Sequence, residues 1–480
     1  MTLARKLTSN IAYAVVGRIF NAVFGLATTA IMARSLGPDV FGLFRTAFAW
    51  STMTCILANM GLEIVCLREI SRPGADIPRT VGTVLGLRLA VGAVCTLLAA
   101  GIVWFVPQPD AAVSLQLSYA AWIAAVGSVA MLGNEIITTI FQQSLTQKRA
   151  SLAELAGGAA TLAFVMLAVA IDGGLLAFTA ATAGGFVVTT LASAALAERI
   201  APVRPRFDLV DSRRLVISGL PLFGSEILGM VTARVDTVLL SLLSAATQVG
   251  YYGIANKIRE IAVRLPFLLA SLLMPVLTRA AGEPDTFRRY LGDAIIVIWI
   301  FAVAVIVGLG CYADVIVTLL AGPQFLDAAD AVRITGFTLA AGSLAAILEF
   351  AAYALERAGG ALRVKAVSSA VALVGLLMLV PGNGAVGTAT AVLLGEATFA
   401  VGLIRLATPD GRRVMPWPRM ALTALVGAVC AALALLLLRA GVPWFIGVAA
   451  LMVAYPVLLL LFRVTTIEQL RTLTAKQPPG

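Results

Sequence analysis

Long apolar stretches, separated by short polar breaks, run the length of the chain. A helix that crosses a bilayer needs ~20 mostly apolar residues. Fourteen stretches meet that length: 10–33, 41–64, 81–105, 114–140, 152–171, 174–197, 215–243, 248–277, 290–319, 331–356, 364–380, 385–405, 419–438 and 443–462. Several are longer than required, which predicts tilt or extension past the bilayer. Turn residues occupy the breaks: Gly37-Pro38, Pro107-Gln108-Pro109, Asp172-Gly173-Gly174 and Pro381-Gly382-Asn383-Gly384. No break leaves room for a soluble domain. The pattern predicts an all-α polytopic membrane protein with about fourteen transmembrane helices (TM1–TM14).

An internal repeat organises these spans. Phe41-Gly42-Leu43-Phe44-Arg45-Thr46-Ala47 opens TM2, and Val249-Gly250-Tyr251-Tyr252-Gly253-Ile254-Ala255 opens TM8. Gly, an aromatic and Ala recur at the same spacing six spans later. An even offset implies a parallel repeat, with two six-helix lobes related by a pseudo-two-fold axis along the membrane normal. The expected division is 1–205 as an N-lobe (TM1–TM6), 206–408 as a C-lobe (TM7–TM12), and 409–480 as two extra C-terminal helices (TM13–TM14) with a cytoplasmic tail. The longest inner loop, about 198–214, joins the lobes. Pro202 and Pro205 prevent a continuous helix there, as a linker between moving bodies would require. Pro221, Pro266 and Pro275 are expected to kink TM7 and TM8.

Composition agrees with a lipid environment. The chain is 60% hydrophobic and 12% charged, and its mean hydropathy is +0.97. Soluble domains are nearer one-quarter charged. A net charge of +10 would suggest nucleic acid on a soluble protein, but the basic residues follow the topology instead. With the N-terminus inside, twenty-five of the 35 Lys and Arg fall in inner segments and only Arg34 and Arg439 in outer loops. Lys and Arg accumulate on the cytoplasmic side of membrane proteins. Both termini are therefore expected in the cytoplasm, and nucleic acid is excluded as a partner. The chain has no histidine, which removes the commonest metal ligand and general base. Cys55, Cys66, Cys95, Cys311 and Cys430 lie in or beside apolar runs without a C-x-x-C pair, as buried apolar residues do. Arg5 and Lys6 precede an apolar stretch, but Arg18 and Asn21 interrupt it and no cleavage site follows. It reads as a retained first span. No metal site, cofactor or catalytic residue is expected.

Ionisable residues inside spans are costly and face a cavity or a partner. On TM1, Arg18, Asn21, Gly25 and Thr28 share a helical face. On TM7, Glu226, Arg234, Thr237 and Ser241 form a comparable stripe, with Asp236 beside it. On TM8, Gly253, Lys257, Glu260 and Arg264 align, with Arg259 alongside. Arg45 lies on TM2 and Arg88 on TM3. TM1, TM2, TM7 and TM8 thus concentrate basic charge, enough to line a central cavity that suits an anion such as a pyrophosphate. Arg offers a planar fork of donors to phosphate oxygens, and Lys a point charge. The candidate headgroup residues are Arg18, Asn21, Arg45, Arg234, Lys257 and Arg264. Glu226, Asp236, Glu349 and Glu396 are candidate coupling or structural acids. Each also has an ordinary structural reading. Arg45 and Arg88 can snorkel to headgroups, Arg234–Asp236 can be a lobe contact, Lys257–Glu260 an internal helix pair, and Arg333 an interfacial residue beside Asp330.

The N-terminal stretch Asn10…Arg18…Ala33-Arg34-Ser35-Leu36-Gly37-Pro38-Asp39-Val40-Phe41-Gly42, followed by Gly61-Leu62 and Arg68-Glu69-Ile70-Ser71-Arg72, resembles the polysaccharide transporter family. Arg234-x-Asp236, Val249-Gly250-x-Tyr252-x-x-Ala255-x-Lys257 and Pro266 resemble that family's seventh and eighth helices. The family includes O-antigen and exopolysaccharide repeat-unit flippases, within a superfamily that also holds lipid II flippases and multidrug antiporters. The resemblance implies two six-helix bundles with alternating access. It also implies a bacterial inner-membrane location, a lipid-linked oligosaccharide substrate, membrane lipids and glycosyltransferase or polymerase machinery as partners, and H⁺ or Na⁺ as a coupling ion. The function expected is flipping of a polyprenyl-pyrophosphate-linked oligosaccharide from inner to outer leaflet, without covalent chemistry. The alternatives are a cation-coupled multidrug antiporter, for which Glu135 is the best N-lobe acid, and a lipid II flippase. A membrane glycosyltransferase would need a larger outer domain, and a scaffold would leave the in-span charge unexplained.

Overall fold

The computed structural model describes the backbone of residues 3–106, 110–408 and 414–462, and their side chains except 3–16, 18, 19, 54, 56, 57, 209 and 220–233. Among these residues every regular element is helical. The helices are α1 (Leu3–Asn59), α2 (Leu62–Ile70), α3 (Ile77–Val103), α4 (Ala111–Gln143), α5 (Gln147–Ala170), α6 (Leu175–Ala197), α7 (Leu209–Leu243), α8 (Ala246–Ala262), α9 (Arg264–Ala280), α10 (Pro284–Ala321), α11 (Ala329–Ala354), α12 (Ala358–Leu406), α13 (Trp417–Arg439) and α14 (Trp444–Leu461). A 3₁₀ turn, Pro323–Ala328, leads into α11.

The fourteen predicted spans map onto these helices, though not one to one. Ten helical stretches among the described residues are long and apolar enough to cross a membrane. One of them, α12, carries both TM11 and TM12; α1 adds TM1 and TM2, and α7 adds TM7. The breaks inside the long helices follow from single residues. Gly37 takes φ 70 and ψ 172, a region almost closed to side chains with a Cβ, and Pro38 then removes a backbone donor. In α12, Gly384 (φ 48, ψ −120) makes the corresponding break. TM2 ends earlier than expected: Met60 and Gly61 both have positive φ, and the chain restarts as α2. TM8 is divided at Val263 into α8 and α9. Pro266 has no N–H, so one bond of the ladder is missing there, while Val263 N still reaches the Arg259 carbonyl at 3.0 Å.

Carboxylates start several helices by accepting from free first-turn N–H groups. Asp76 accepts from Arg79 N ahead of α3, Asp110 from Ala112 N ahead of α4, and Asp208 from Val210 N and Asp211 N ahead of α7. Small residues then allow close crossings, as is usual between membrane helices. A methyl on Gly157 would meet the Thr189 hydroxyl, and one on Gly185 the Thr161 hydroxyl, so α5 and α6 cross reciprocally.

The loop expected to act as a loose linker is instead laid along α3. Arg206 N donates to the Gly82 carbonyl at 2.8 Å. Cβ atoms at Gly82 and Gly86 would strike the Arg204 and Arg206 backbone. The prolines do keep this segment out of a helix, but its exposed polar backbone finds partners on the glycine face of α3.

The chain divides into two compact units. The first is Met1–Gly253 with Leu320–Phe325 and Val380–Ala385, and the second is Ile254–Leu319, Leu326–Leu379 and Val386–Gly480. Leu62, Val65, Ile136, Ile140 and Phe141 centre one core of the first. Phe287, Leu291, Ile347, Leu403 and Met420 are part of the core of the second. α13 and α14 join that second core: Trp299 Nε1 donates to the Met420 carbonyl at 3.0 Å, and Tyr455 Oη to the Ile300 carbonyl at 2.8 Å.

Candidate functional site

The candidate headgroup residues fall in both units. Arg18, Asn21, Arg45 and Arg234 belong to the first, Lys257 and Arg264 to the second. The side chains of Arg18 and Glu226 lie outside the described residues. Asn21 is partly buried on α1. The Arg45 stem lies against Gly253, where a methyl would sit 3.1 Å from its Cγ and 3.2 Å from its Nε. Gly253 occupies the repeat position equivalent to Arg45, and its missing side chain makes the space for the guanidinium. Arg234, partly buried on α7, forms no hydrogen bond or ion pair among the described residues. Its expected contact with Asp236 is absent there. Asp236 is 1% exposed and accepts from Tyr252 Oη at 2.6 Å and from Thr237 N and Oγ1. It ties α7 to α8. Lys257 pairs with Glu260 at 3.4 Å within α8, as the i,i+3 spacing predicts. Arg264 opens α9, exposed and without a described acid partner.

Arg88 does not snorkel. It is fully buried, and Nη2 contacts Asn59 Oδ1 and pairs with Glu135 Oε2 at 2.9 Å, while Nη1 donates to the Leu132 carbonyl at 3.2 Å. A guanidinium can be desolvated in this way only when a counter-charge and acceptors replace its water. Glu135 is thereby committed to a base. Arg333 holds Asp330 and Asp314 at its helix end.

The sequence repeat reappears as a physical crossing within the first unit. A Cβ on Gly42 would strike the Ala246 carbonyl, and one on Gly250 the Pro38 carbonyl. Pro38 and Ala246 stand in the same repeat relation as Gly42 and Gly250, so the two contacts exchange under the pseudo-two-fold operation. Thr247 Oγ1 donates to Asp39 Oδ1 alongside them. Two loop segments close over the crossing. Phe325 stacks edge-on against Phe41 and Tyr251, with centroids 5.9 and 6.1 Å away. Gln248 accepts from Ala385 N at 2.9 Å, and Gln324 Nε2 donates to the Arg34 carbonyl at 3.1 Å. The end of the unit that carries Gly37 and Gly384 is shut.

In the second unit a cavity of about 150 Å³ is lined by Arg259, Lys365, Glu349 and Glu396 among apolar residues. Glu349 accepts from Tyr353 Oη at 2.7 Å. Lys365 Nζ lies 4.3 Å above the Phe399 ring. Arg259 donates to Asn256 Oδ1 through Nε and Nη2.

A model of the family described as "Polysaccharide biosynthesis protein" matches residues 7–281, more than half of the chain. The chain belongs to that family. A search of curated protein sequences finds no match. Among solved structures, the lipid II flippase MurJ in an inward closed conformation superposes with a TM-score of 0.78 over 96% of this chain and 99% of that one, at 12% identity. An inward-facing multidrug resistance MATE family transporter of the MOP superfamily gives 0.65 over 83% and 98%, at 16% identity. A eukaryotic MATE transporter gives 0.56 over 83% and 95%, at 12% identity. Identities this low establish a shared fold, and that fold is one of flippases and transporters.

Within this chain, two charged groupings escape a reading of the sequence. Lys365 stands at the start of TM11, and nothing in that position shows that α12 carries it into the second unit's cavity. Arg88 and Glu135 are each visible as in-span charges, but nothing in their spacing of 47 residues marks them as a pair. Opposite charges buried at matching distances from the ends of consecutive spans would have been the signal to seek.

Proposed function

We propose that the chain flips a polyprenyl-pyrophosphate-linked oligosaccharide from the inner to the outer leaflet of a bacterial inner membrane by alternating access. One observation carries this reading beyond family membership. The in-span acids with a described partner are committed: Glu135 to Arg88, Asp236 to Tyr252, Glu260 to Lys257. Arg234 and Arg264 have no acid partner among the described residues. Glu349 and Glu396 face Arg259 and Lys365 at the second unit's cavity, so the candidate headgroup positions themselves stay cationic, which favours an anionic headgroup and disfavours a cationic drug. Arg18, Asn21, Arg45, Arg234, Lys257 and Arg264 are the proposed headgroup ligands. With the termini in the cytoplasm, the Gly37 end of the first unit faces the outside. A polyanion leaving an inside-negative compartment gains ~2.3 kcal/mol per charge per 100 mV. The membrane potential thus favours outward flipping, with H⁺ or Na⁺ as an added coupling ion.

The test is a proteoliposome flipping assay with a leaflet-specific readout, comparing polyprenyl-pyrophosphate oligosaccharide, lipid II and an organic cation. Wild type should flip the first, and Arg234→Ala and Lys257→Ala, correctly inserted, should each lose at least ~10-fold in rate, as expected when a charged hydrogen bond to phosphate is removed. Efflux of the organic cation without glycolipid flipping would replace this reading with the antiporter, and selective flipping of lipid II would replace the substrate.

A further inference from the structure

The cavity of the second unit differs from the cationic positions above in one respect: its charges balance. Arg259 and Lys365 face the same space of about 150 Å³ as Glu349 and Glu396. Yet among the described residues neither carboxylate forms an ion pair with either base. Glu349 is held only by the Tyr353 hydroxyl, and Glu396 has no hydrogen-bond partner. Four charged groups from α8, α11 and both halves of α12 line the cavity, and the Lys365 ammonium and Glu396 carboxylate, with no hydrogen bond or ion pair among the described residues, leave a donor and an acceptor for its contents. Gly342 helps to keep the space open, since a methyl there would touch Glu396 Oε2 at 3.4 Å. At ~1.5 Å per residue, Glu349, Lys365 and Glu396 lie ~8 to 15 Å from the Ala354, Ala358 and Leu406 ends of their helices.

The chemistry selects the occupant. A free phosphate would confront two carboxylates, and a metal cation would confront an arginine and a lysine. An apolar chain would leave Lys365 and Glu396 without partners, at a cost of several kcal/mol each. A neutral ring bearing hydroxyls meets every requirement. Its O–H groups donate to the carboxylates, its oxygens accept from Lys365, and its C–H face packs on an aromatic side chain. Phe267 supplies that face. It lines the cavity, is 55% exposed, and is braced edge-on by Phe350 at 5.4 Å. The volume accommodates a single six-membered ring. We propose that this cavity is a sugar subsite that holds one neutral hexose or N-acetylhexosamine of the lipid-linked headgroup. This rests on the oligosaccharide reading above.

The experiment measures binding of two probes to the full chain in nanodiscs, by competition against a fluorescent polyprenyl pyrophosphate. One probe is bare polyprenyl pyrophosphate, and the other carries a single N-acetylhexosamine. Wild type should prefer the glycosylated probe by about tenfold, the worth of one charge-assisted hydrogen bond. Glu396→Leu and Phe267→Ala should abolish the preference and leave the bare probe within about twofold. Phe267 is exposed, so its truncation spares the fold even where the Glu396 variant does not. Glu396→Gln, which still accepts a hydrogen bond, should keep most of the preference. Equal weakening of both probes would make the cluster structural. An intact preference in every variant, with the pH dependence of flipping lost in Glu396→Gln, would make it a proton-coupling site. A preference that vanishes only in phosphatidylethanolamine nanodiscs would give the cavity to a zwitterionic lipid headgroup. If wild type binds neither probe, the oligosaccharide reading falls and this subsite with it; if it binds both alike, the subsite alone falls.

Discussion

At the scale of single residues, burial decides what a charge does. Arg88 and Glu135 illustrate this: the arginine is wholly buried and the glutamate side chain 30% exposed. Removing one member of such a pair strands the other. Arg88→Met should therefore lower stability by ~3 kcal/mol, read as a fall in the unfolding temperature of the purified protein, and adding Glu135→Gln should recover part of the loss. A double variant no better than the single one would show that the pair contributes nothing. Asp208 makes the corresponding point outside the membrane. The Asp211 backbone N–H is the main group holding its carboxyl below the ordinary value of 3.8, with Val210 N–H and Arg79 adding to it against partial desolvation. A carboxylate whose folded pKa is depressed stabilises the fold above its unfolded pKa, and that contribution is lost as pH falls through the folded value. Unfolding temperatures should thus drop below about pH 4, and Asp208→Asn, which still caps α7, should drop less steeply. Identical slopes would remove Asp208 from the acid response. The sequence places Asp208 in the loop of about 198–214. It does not show the Arg88 partner, because that depends on how α3 and α4 are rotated against each other.

At the scale of elements, the reciprocal glycines convert a weak sequence repeat into a mechanical contact. Gly42 and Gly250 are small because each receives the other strand of the repeat at backbone distance. The touching pair Asp39 and Thr247 reports on the crossing. Asp39→Cys combined with Thr247→Cys should form a disulfide under mild oxidation, stop transport, and release it on reduction. Native cysteines interfere little, since Cys55, Cys66, Cys95 and Cys430 are buried. Full transport by the cross-linked protein would show that this crossing never opens. The helix breaks at Gly37 and Gly384 were legible as Gly-Pro and Pro-Gly-Asn-Gly turns, since backbone geometry is written locally. The division of TM8 at Val263 was less so, because a proline near a helix start costs only one hydrogen bond and leaves the apolar pattern intact.

At the scale of the whole molecule, hydropathy and loop charge make a complete topological map. It is tested by single cysteines in loops. Asn383→Cys should react with a membrane-impermeant maleimide in intact cells, and Lys148→Cys only after permeabilisation. The reverse result would invert the map. The span order and helical fold could be read from the sequence because the bilayer enforces one rule on every segment: ~20 apolar residues, with each backbone group bonded inside its own helix. Family membership was readable because its motifs sit in contiguous stretches of the first eight spans. Tertiary structure alone decided which charges meet. It paired Arg88 with Glu135, gave Asp236 to Tyr252, laid the 201–208 segment on α3, and gathered Arg259, Lys365, Glu349 and Glu396 at one cavity. Those meetings are set by the rotation and depth of each helix against its neighbours. That rotation is fixed by the packing of small and large side chains, which hydropathy does not encode.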